Sequence, residues 1–327
     1  MDSARRVLTC LPRRKKCRAM TIDELNQIIA AGEFDEFIRV CEARQNRALA
    51  AIADTIAAKK GVRLVLLAGG SSAGKTTTAM RLATQLRVNG LHARQMSTDD
   101  YFVGDARNPR DENGEFDYET IEAVDSERLA ADLNALLEGR KVHLRRFNFC
   151  AHEGYDMEEE TVVPNDCCII LEGIHALNPR LAAAVDEAYK FRLFIEPKEQ
   201  PEIFYKTRLP STDARLLRRL VRDNRFRRLD PMDTFRIWPK VLAGEAKWIN
   251  PFRGNANAEF DSSLAYELPV LKPYAAGLLA QVRIRDPKNT LAEALSDLLA
   301  LIRDMPPCAV PGDSILRETI GSSQLQY

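Results

Sequence analysis

The stretch from Leu64 to Thr78, LVLLAGGSSAGKTTT, constrains this chain more than any other. An apolar run, Leu64 to Ala68, breaks into Gly69-Gly70-Ser71-Ser72-Ala73-Gly74-Lys75-Thr76, the G-x-x-x-x-G-K-[ST] spacing of a phosphate-binding loop. Its glycines allow the backbone turns that aim successive N–H groups inward at phosphate oxygens. Lys75 is then placed to reach the outer phosphates, and the Thr76 hydroxyl to hold magnesium. From Thr77 onward the chain reads as a helix whose N-terminal dipole adds positive potential. Strand, loop and helix in that order predict a nucleoside triphosphate site spanning Gly69 to Thr77.

The rest of the chain narrows the setting. Its 327 residues suit one large α/β domain with extensions, or two domains. Lys+Arg and Asp+Glu balance at 47 each, so the bulk charge points to neither nucleic acid nor membrane. No apolar run approaches transmembrane length. The cysteines (10, 17, 41, 150, 167, 168, 308) form no C-x-x-C pair and no regular framework, which fits a reducing compartment such as the cytoplasm. Residues 1–20 are basic and read as a disordered start, with an organelle-targeting peptide as the alternative.

Taken in order, Thr21 and Glu24 form a capping-box pattern ahead of a helix, and 34–60 carries helical apolar spacing. A second strand at 92–96 ends in Ser97-Thr98-Asp99-Asp100-Tyr101-Phe102. Acids at the C-terminal end of a strand beside the phosphate loop lie where open α/β sheets bind ligands. A long polar stretch, 103–115, leads to Phe116-Asp117-Tyr118-Glu119. An amphipathic helix follows Asp125, then a short strand at 142–145, Phe147-Asn148-Phe149, and an acidic loop at 153–160. The run 167–171 is a buried strand with Glu172 at its end, and 191–195 is another strand. This alternation predicts a doubly wound parallel sheet.

Beyond it, the helix expected at 214–228 carries Arg215, Arg218, Arg219, Arg222, Arg225, Arg227 and Arg228. Helical spacing puts several guanidiniums on one face, where like charges cost a few tenths of a kcal/mol per pair in water. A lid closing arginines over a polyphosphate accounts for that cost; a solvated basic face and a nucleic-acid patch are the alternatives. A last strand near 259–263 and helices at 266–282 and 291–302 follow, and the tail from Cys308 reads as mobile.

Together these motifs resemble the uridine kinase family of P-loop kinases over roughly Val62 to Val282: GGSSAGKTT, STDDYF, FDYE, FNF, IILEGIHAL and RLLRRLVRD occur in order. The chain looks most like the branch in which such a kinase follows a TGS domain, through RDNRFR, the Trp238-Pro239 stretch and YELPVLKPY. The TGS domain itself is expected to be absent, since only 20 residues precede Thr21. Residues and resemblance together divide the chain into a basic segment at 1–20, a helical extension at 21–60, a kinase domain at 61–283, a C-terminal helix at 284–306 and a flexible tail at 307–327. The resemblance implies ATP with magnesium as donor, phosphoryl transfer to a nucleoside 5′-hydroxyl in pyrimidine salvage, and assembly into homo-oligomers.

Residue by residue, it makes Lys75, Asp99 and Arg222 catalytic, with Asp99 accepting the hydroxyl proton and Asp100 the competing assignment. Asp117 holds sugar hydroxyls, Tyr101 joins the substrate contacts, and Glu172 orients magnesium with Thr76. Arg219 and Arg222 lie near acceptor and phosphates, and Arg227 contacts the nucleotide. Phe147 stands at a position where uridine kinases carry tyrosine, His152 at their histidine position within CAHEGY, and Leu229 at an arginine position. Those departures leave a kinase of another small alcohol, such as a sugar phosphate or a pantothenate-like acceptor, as an alternative. A catalytically idle nucleotide-binding regulator is a third reading. Asp111-Glu112-Asn113-Gly114 spells D-x-x-G, but it sits in a polar loop and no N-K-x-D motif accompanies it, which argues against a GTPase.

Overall fold

The structure, a computed structural model, describes residues 20–148, 151–198, 200–204, 207–305 and 308–326. The basic segment 1–19, Phe149 of the FNF motif and Cys10, Cys17 and Cys150 lie outside those residues. In chain order the α-helices are α1 (Ile22–Ala30), α2 (Phe34–Ala58), α3 (Lys75–Val88), α4 (Ser126–Leu137), α5 (Ser211–Phe226), α6 (Pro231–Trp248), α7 (Glu267–Arg285), α8 (Thr290–Ala300) and α9 (Arg317–Ile320). The strands are β1 (Leu64–Ala68), β2 (Ala93–Ser97), β3 (Val142–Asn148), β4 (Glu153–Thr161), β5 (Cys168–Glu172), β6 (Lys190–Glu196), β7 (Glu202–Phe204), β8 (Thr207–Arg208) and β9 (Ala258–Asp261). They divide between two compact units. One gathers the chain up to Asn46 with Pro197–Trp238 and Asp261–Gln326; the other is Arg47–Glu196 with Pro239–Phe260.

The second unit is built on a five-stranded sheet of order β2-β5-β1-β6-β9, with β1 parallel to β5 and β6, and β2 parallel to β5. Every residue of β1 and β5 is buried, which is why both read as unbroken apolar runs rather than alternating ones. Leu64, Leu66, Ile169 and Leu171 share a core with Leu129, Leu133 and Leu136 of α4. Helix α3, with Leu82 and Leu86 buried, lies along β1, β2 and β5. This is the helix-flanked parallel sheet that the alternation predicts. Its register sets Leu67 beside Glu172 and Glu172 beside Ser97, so three strand ends finish at one edge.

The acidic segment 153–160 is not a loop. It forms β4, antiparallel to β3, with Glu153 opposite Asn148 and Thr161 opposite Val142. Its acids meet a basic partner: Lys141 Nζ lies 2.7 Å from Glu160, and Arg128 Nη2 3.5 Å from Asp156. Opposite charges across a strand pair favour pairing, a relation that neither segment shows alone.

In the first unit, Thr21 caps α1 with Glu24 answering from N3, the reciprocal pair expected of a capping box. The arginine-rich helix spans Ser211–Phe226, and its guanidiniums do not share one solvated face. Arg218 is buried against Glu267 and the Ser262 carbonyl, and Arg215 lies over the Trp238 ring at 5.5 Å. The tail from Cys308, read as mobile, is packed: Val310, Ile315, Leu316 and Ile320 are buried, and Ser314 Oγ lies 3.0 Å from the Tyr266 hydroxyl. Its apolar residues are sparse but these four are buried, which composition alone hides.

Candidate active site

The phosphate loop turns where its residues permit it. Gly74 has φ 89°, in the left-handed region, and opens α3 directly with the Thr78 N–H donating to its carbonyl at 3.0 Å. Gly69 leaves room for the neighbouring strand: a Cβ there would lie 2.3 Å from the Ile195 carbonyl oxygen. Ser72 takes φ 58°, and its buried hydroxyl has no hydrogen-bond partner among the described residues. Lys75 Nζ donates to the Gly70 carbonyl at 3.2 Å, folding the cation back over the loop.

Two carboxylates stand at the adjoining strand ends. Glu172 is 5% exposed, and Oε1 accepts from the Thr76 hydroxyl at 3.1 Å. Burial, then the nearby charge of Asp99, push its carboxyl up to about 7, against the opposing pull of Lys75. Asp99 lies in the 3-10 turn Thr98–Tyr101, which Ser97 caps by accepting from the Asp99 N–H at 3.2 Å. Gly173 makes this proximity feasible, because a Cβ on it would overlap the Thr98 side chain. Asp100 points to Arg146, Nη1 to Oδ2 3.1 Å; burial raises its carboxyl while that guanidinium opposes the rise. His175 is fully buried nearby and burial holds its imidazole down to about 4, so it is neutral near pH 7.

The residues fit nucleotide and magnesium. An orphaned hydroxyl sits within a turn of the phosphate-loop pattern, and a buried carboxylate beside a threonine hydroxyl is a hard-oxygen donor pair suited to a cation that keeps its other positions for water and phosphate. Among the described residues no cluster of three or more His, Cys, Asp or Glu could hold a metal alone. Thr76 and Glu172 are the candidates.

The proton held by Glu172 has a measurable consequence. A carboxyl raised from 4.5 to about 7 on folding binds a proton that the unfolded chain releases, so nucleotide-free stability declines as pH rises across that window. Glu172→Gln is expected to remove the decline. Thermal unfolding from about pH 5 to about pH 8 checks it: the variant should match wild type at the acid end and exceed it at the alkaline end.

Beyond Asp99, the same turn leads into an aromatic cluster. Phe102 meets Phe147 edge-on at 5.5 Å and Tyr118 at 5.9 Å, and Tyr118 adjoins Phe116 at 5.9 Å and His152 at 6.1 Å. The Tyr118 hydroxyl donates to Asp105 Oδ1 at 2.6 Å, and burial with that carboxylate holds the phenol well above its ordinary range. The His152 Nδ1 lies 3.0 Å from that hydroxyl and 3.2 Å from Asp105 Oδ1. Asp117 accepts from the Glu119 N–H at 3.1 Å in the same loop.

Tyr101 does not join this group. Its side chain is buried, with the hydroxyl donating to Asp132 of α4 at 3.0 Å, so it anchors the turn from behind. Within the first unit, Arg222 Nη2 lies 2.8 Å, Arg219 Nε 3.1 Å and Arg227 Nε 3.6 Å from the buried Asp223 carboxylate. Burial alone would raise that acid; the charges of Arg222, Arg219 and Arg227 hold it below its usual range.

The model of the phosphoribulokinase/uridine kinase family matches residues 64–263. The chain belongs to that family. Among its relatives, a uridine kinase of Halobacterium salinarum is 28% identical over 157 residues, 48% of this chain and 60% of that protein. A uridine kinase of Schizosaccharomyces pombe is 30% identical over 183 residues, 55% of this chain and 36% of that protein. This chain thus spans less than two thirds of either relative's length. A solved structure described as a possible uridine kinase from Bacillus stearothermophilus aligns at 20% identity with a TM-score of 0.44, covering 67% of this chain and all of that one.

Sequence reading gave no role to two residues that shape the phosphate-loop site. Gly173 follows Glu172 in the motif but only the packing of Thr98 shows its use. Glu245 on α6 accepts from the Ser71 N–H at 2.9 Å. Nothing local marks Glu245, because its partner is 174 residues away.

Proposed function

We propose that this protein is a magnesium- and ATP-dependent kinase that phosphorylates the 5′-hydroxyl of a pyrimidine nucleoside. The observation that carries the reading is the turn Thr98–Phe102: it presents Asp99 beside the Glu172 end of the phosphate-loop strands and, one turn on, Phe102 within the aromatic cluster. A nucleoside has the matching parts, a primary hydroxyl and a flat ring that stacks on aromatic faces.

Phosphoryl transfer needs positioning and charge neutralisation more than covalent help. The loop amides from Ser71 to Thr77 and the Lys75 ammonium hold the donor phosphates. Thr76 and Glu172 hold magnesium, which neutralises phosphate charge when bound. Asp99 accepts the hydroxyl proton, Asp117 orients the sugar hydroxyls, and Phe147 and His152 face the base. The family resemblance assigns Arg219, Arg222 and Arg227 to the phosphates, and their common partner Asp223 keeps the three together.

ADP formation with uridine, cytidine, purine nucleosides, ribose phosphates and pantothenate, alongside Lys75→Ala, tests the reading. Turnover is expected with the pyrimidine nucleosides and its loss in the lysine variant. His152→Ala should raise the nucleoside KM about 5–20-fold with little change in kcat, the pattern of lost ground-state binding. Turnover of a non-nucleoside alcohol with none of uridine or cytidine would overturn the assignment.

A further inference from the structure

Glu245 brings an acid to a loop that the family motif equips for anions. Its Oε1 accepts from the Ser71 N–H at 2.9 Å, and the residue is 6% exposed. The contact is built into the fold. A Cβ on the preceding Gly244 would lie 2.4 Å from the Glu119 Cβ, so α6 is seated hard against the acceptor loop. One turn earlier, Lys240 Nζ bonds Asp111 Oδ2 and the Phe116 carbonyl, each at 2.8 Å.

Gly70 and Ser71 form the outer-phosphate end of the loop, because the ammonium of Lys75, which serves the outer phosphates, rests on the Gly70 carbonyl at 3.2 Å. An inward N–H at that end is a donor for an anion. In this structure the anion is the chain's own carboxylate.

We propose that Glu245 is a specificity-determining residue of the phosphate site, occupying the donor meant for the terminal phosphate and so setting how strongly the loop prefers a triphosphate over a diphosphate. The inference rests on reading the loop as the ATP site. A terminal phosphate must take the Ser71 N–H from the carboxylate or lie beside it, and like charges close together in a partly dry site disfavour each other. A diphosphate ends one group short and meets neither cost. Glu245 therefore narrows the advantage of ATP over ADP, which eases exchange of product for donor.

Calorimetric titration of the full chain with ATP and with ADP, each with magnesium, tests this in wild type, Glu245→Gln and Lys75→Ala. Glutamine keeps the acceptor oxygen and the shape while removing the charge. Glu245→Gln is expected to bind ATP about tenfold tighter and ADP within about twofold of wild type. In the nucleotide-free protein, amide exchange at Ser71 should stay slow in Glu245→Gln and quicken in Glu245→Ala. ATP and ADP affinities that move together, or weaker ATP binding by Glu245→Gln, would overturn the proposal while wild-type binding lost in Lys75→Ala keeps the ATP site. Wild type that binds neither nucleotide would remove both readings.

Discussion

Replacing Asp99 by asparagine is expected to lower kcat by roughly 10²–10⁴-fold, the usual worth of a positioned general base, while nucleotide affinity stays within about twofold. The substitution keeps size and both hydrogen-bonding positions of the turn. The Asp99 N–H still donates to Ser97 Oγ, and the Thr98 hydroxyl, 3.4 Å from Oδ1, still finds an oxygen. What disappears is the charge and the capacity to accept a proton. The neighbouring acid supplies the control. Asp100 is spent on Arg146 at 3.1 Å, so Asp100→Asn should cost turnover only modestly, through the loosened β3 contact. Initial-rate kinetics on both variants decide the matter. A collapse in Asp100→Asn with an active Asp99→Asn would move the base to Asp100. Equal loss in both, with weakened nucleotide binding, would mean that the turn itself had failed.

What the chain disclosed in advance follows the range of the forces involved. The phosphate loop is a local object: its glycines, lysine and threonine are consecutive, and the strand before it is an apolar run that only a strand buried on both faces requires. Thr21 and Glu24 are likewise three residues apart, and their reciprocal capping was legible before any packing was known. The acidic hairpin was not, since the cations that meet its acids, Lys141 just before β3 and Arg128 on α4, lie outside the segment. The arginine helix was legible only in part. Helical spacing does not say which acid each guanidinium meets: Arg218 meets Glu267, and Arg219, Arg222 and Arg227 share Asp223. Tyr101 sits in a motif of site residues yet turns inward to Asp132, because a 3-10 turn points successive side chains about a third of a turn apart. Glu245 had no local signature at all.

The second large effect concerns the buried charge that the arginine helix hides. Arg218→Met is expected to destabilise the first unit by about 3–5 kcal/mol, the typical cost of breaking a buried ion pair from one side. Arg218 is 1% exposed and Glu267 0%, with Nε to Oε2 at 3.0 Å and Nη2 also holding the Ser262 carbonyl at 2.9 Å. Methionine fills the space but abandons a carboxylate in a place water does not reach. Arg218→Met combined with Glu267→Leu should recover most of the loss, because removing both charges removes the desolvation cost as well, leaving chiefly the unpaired Ser262 carbonyl. The two tryptophans make the measurement clean. Trp238 belongs to the same unit as the ion pair, so urea unfolding followed by fluorescence in a Trp248→Phe background follows a single reporter in that unit. A double variant no better than the single one would show that Arg218 acts through its packing along α5 and the Ser262 carbonyl rather than through Glu267. A recovered double variant would make Glu267 the reason that an arginine, and not an apolar residue, occupies the core side of this helix.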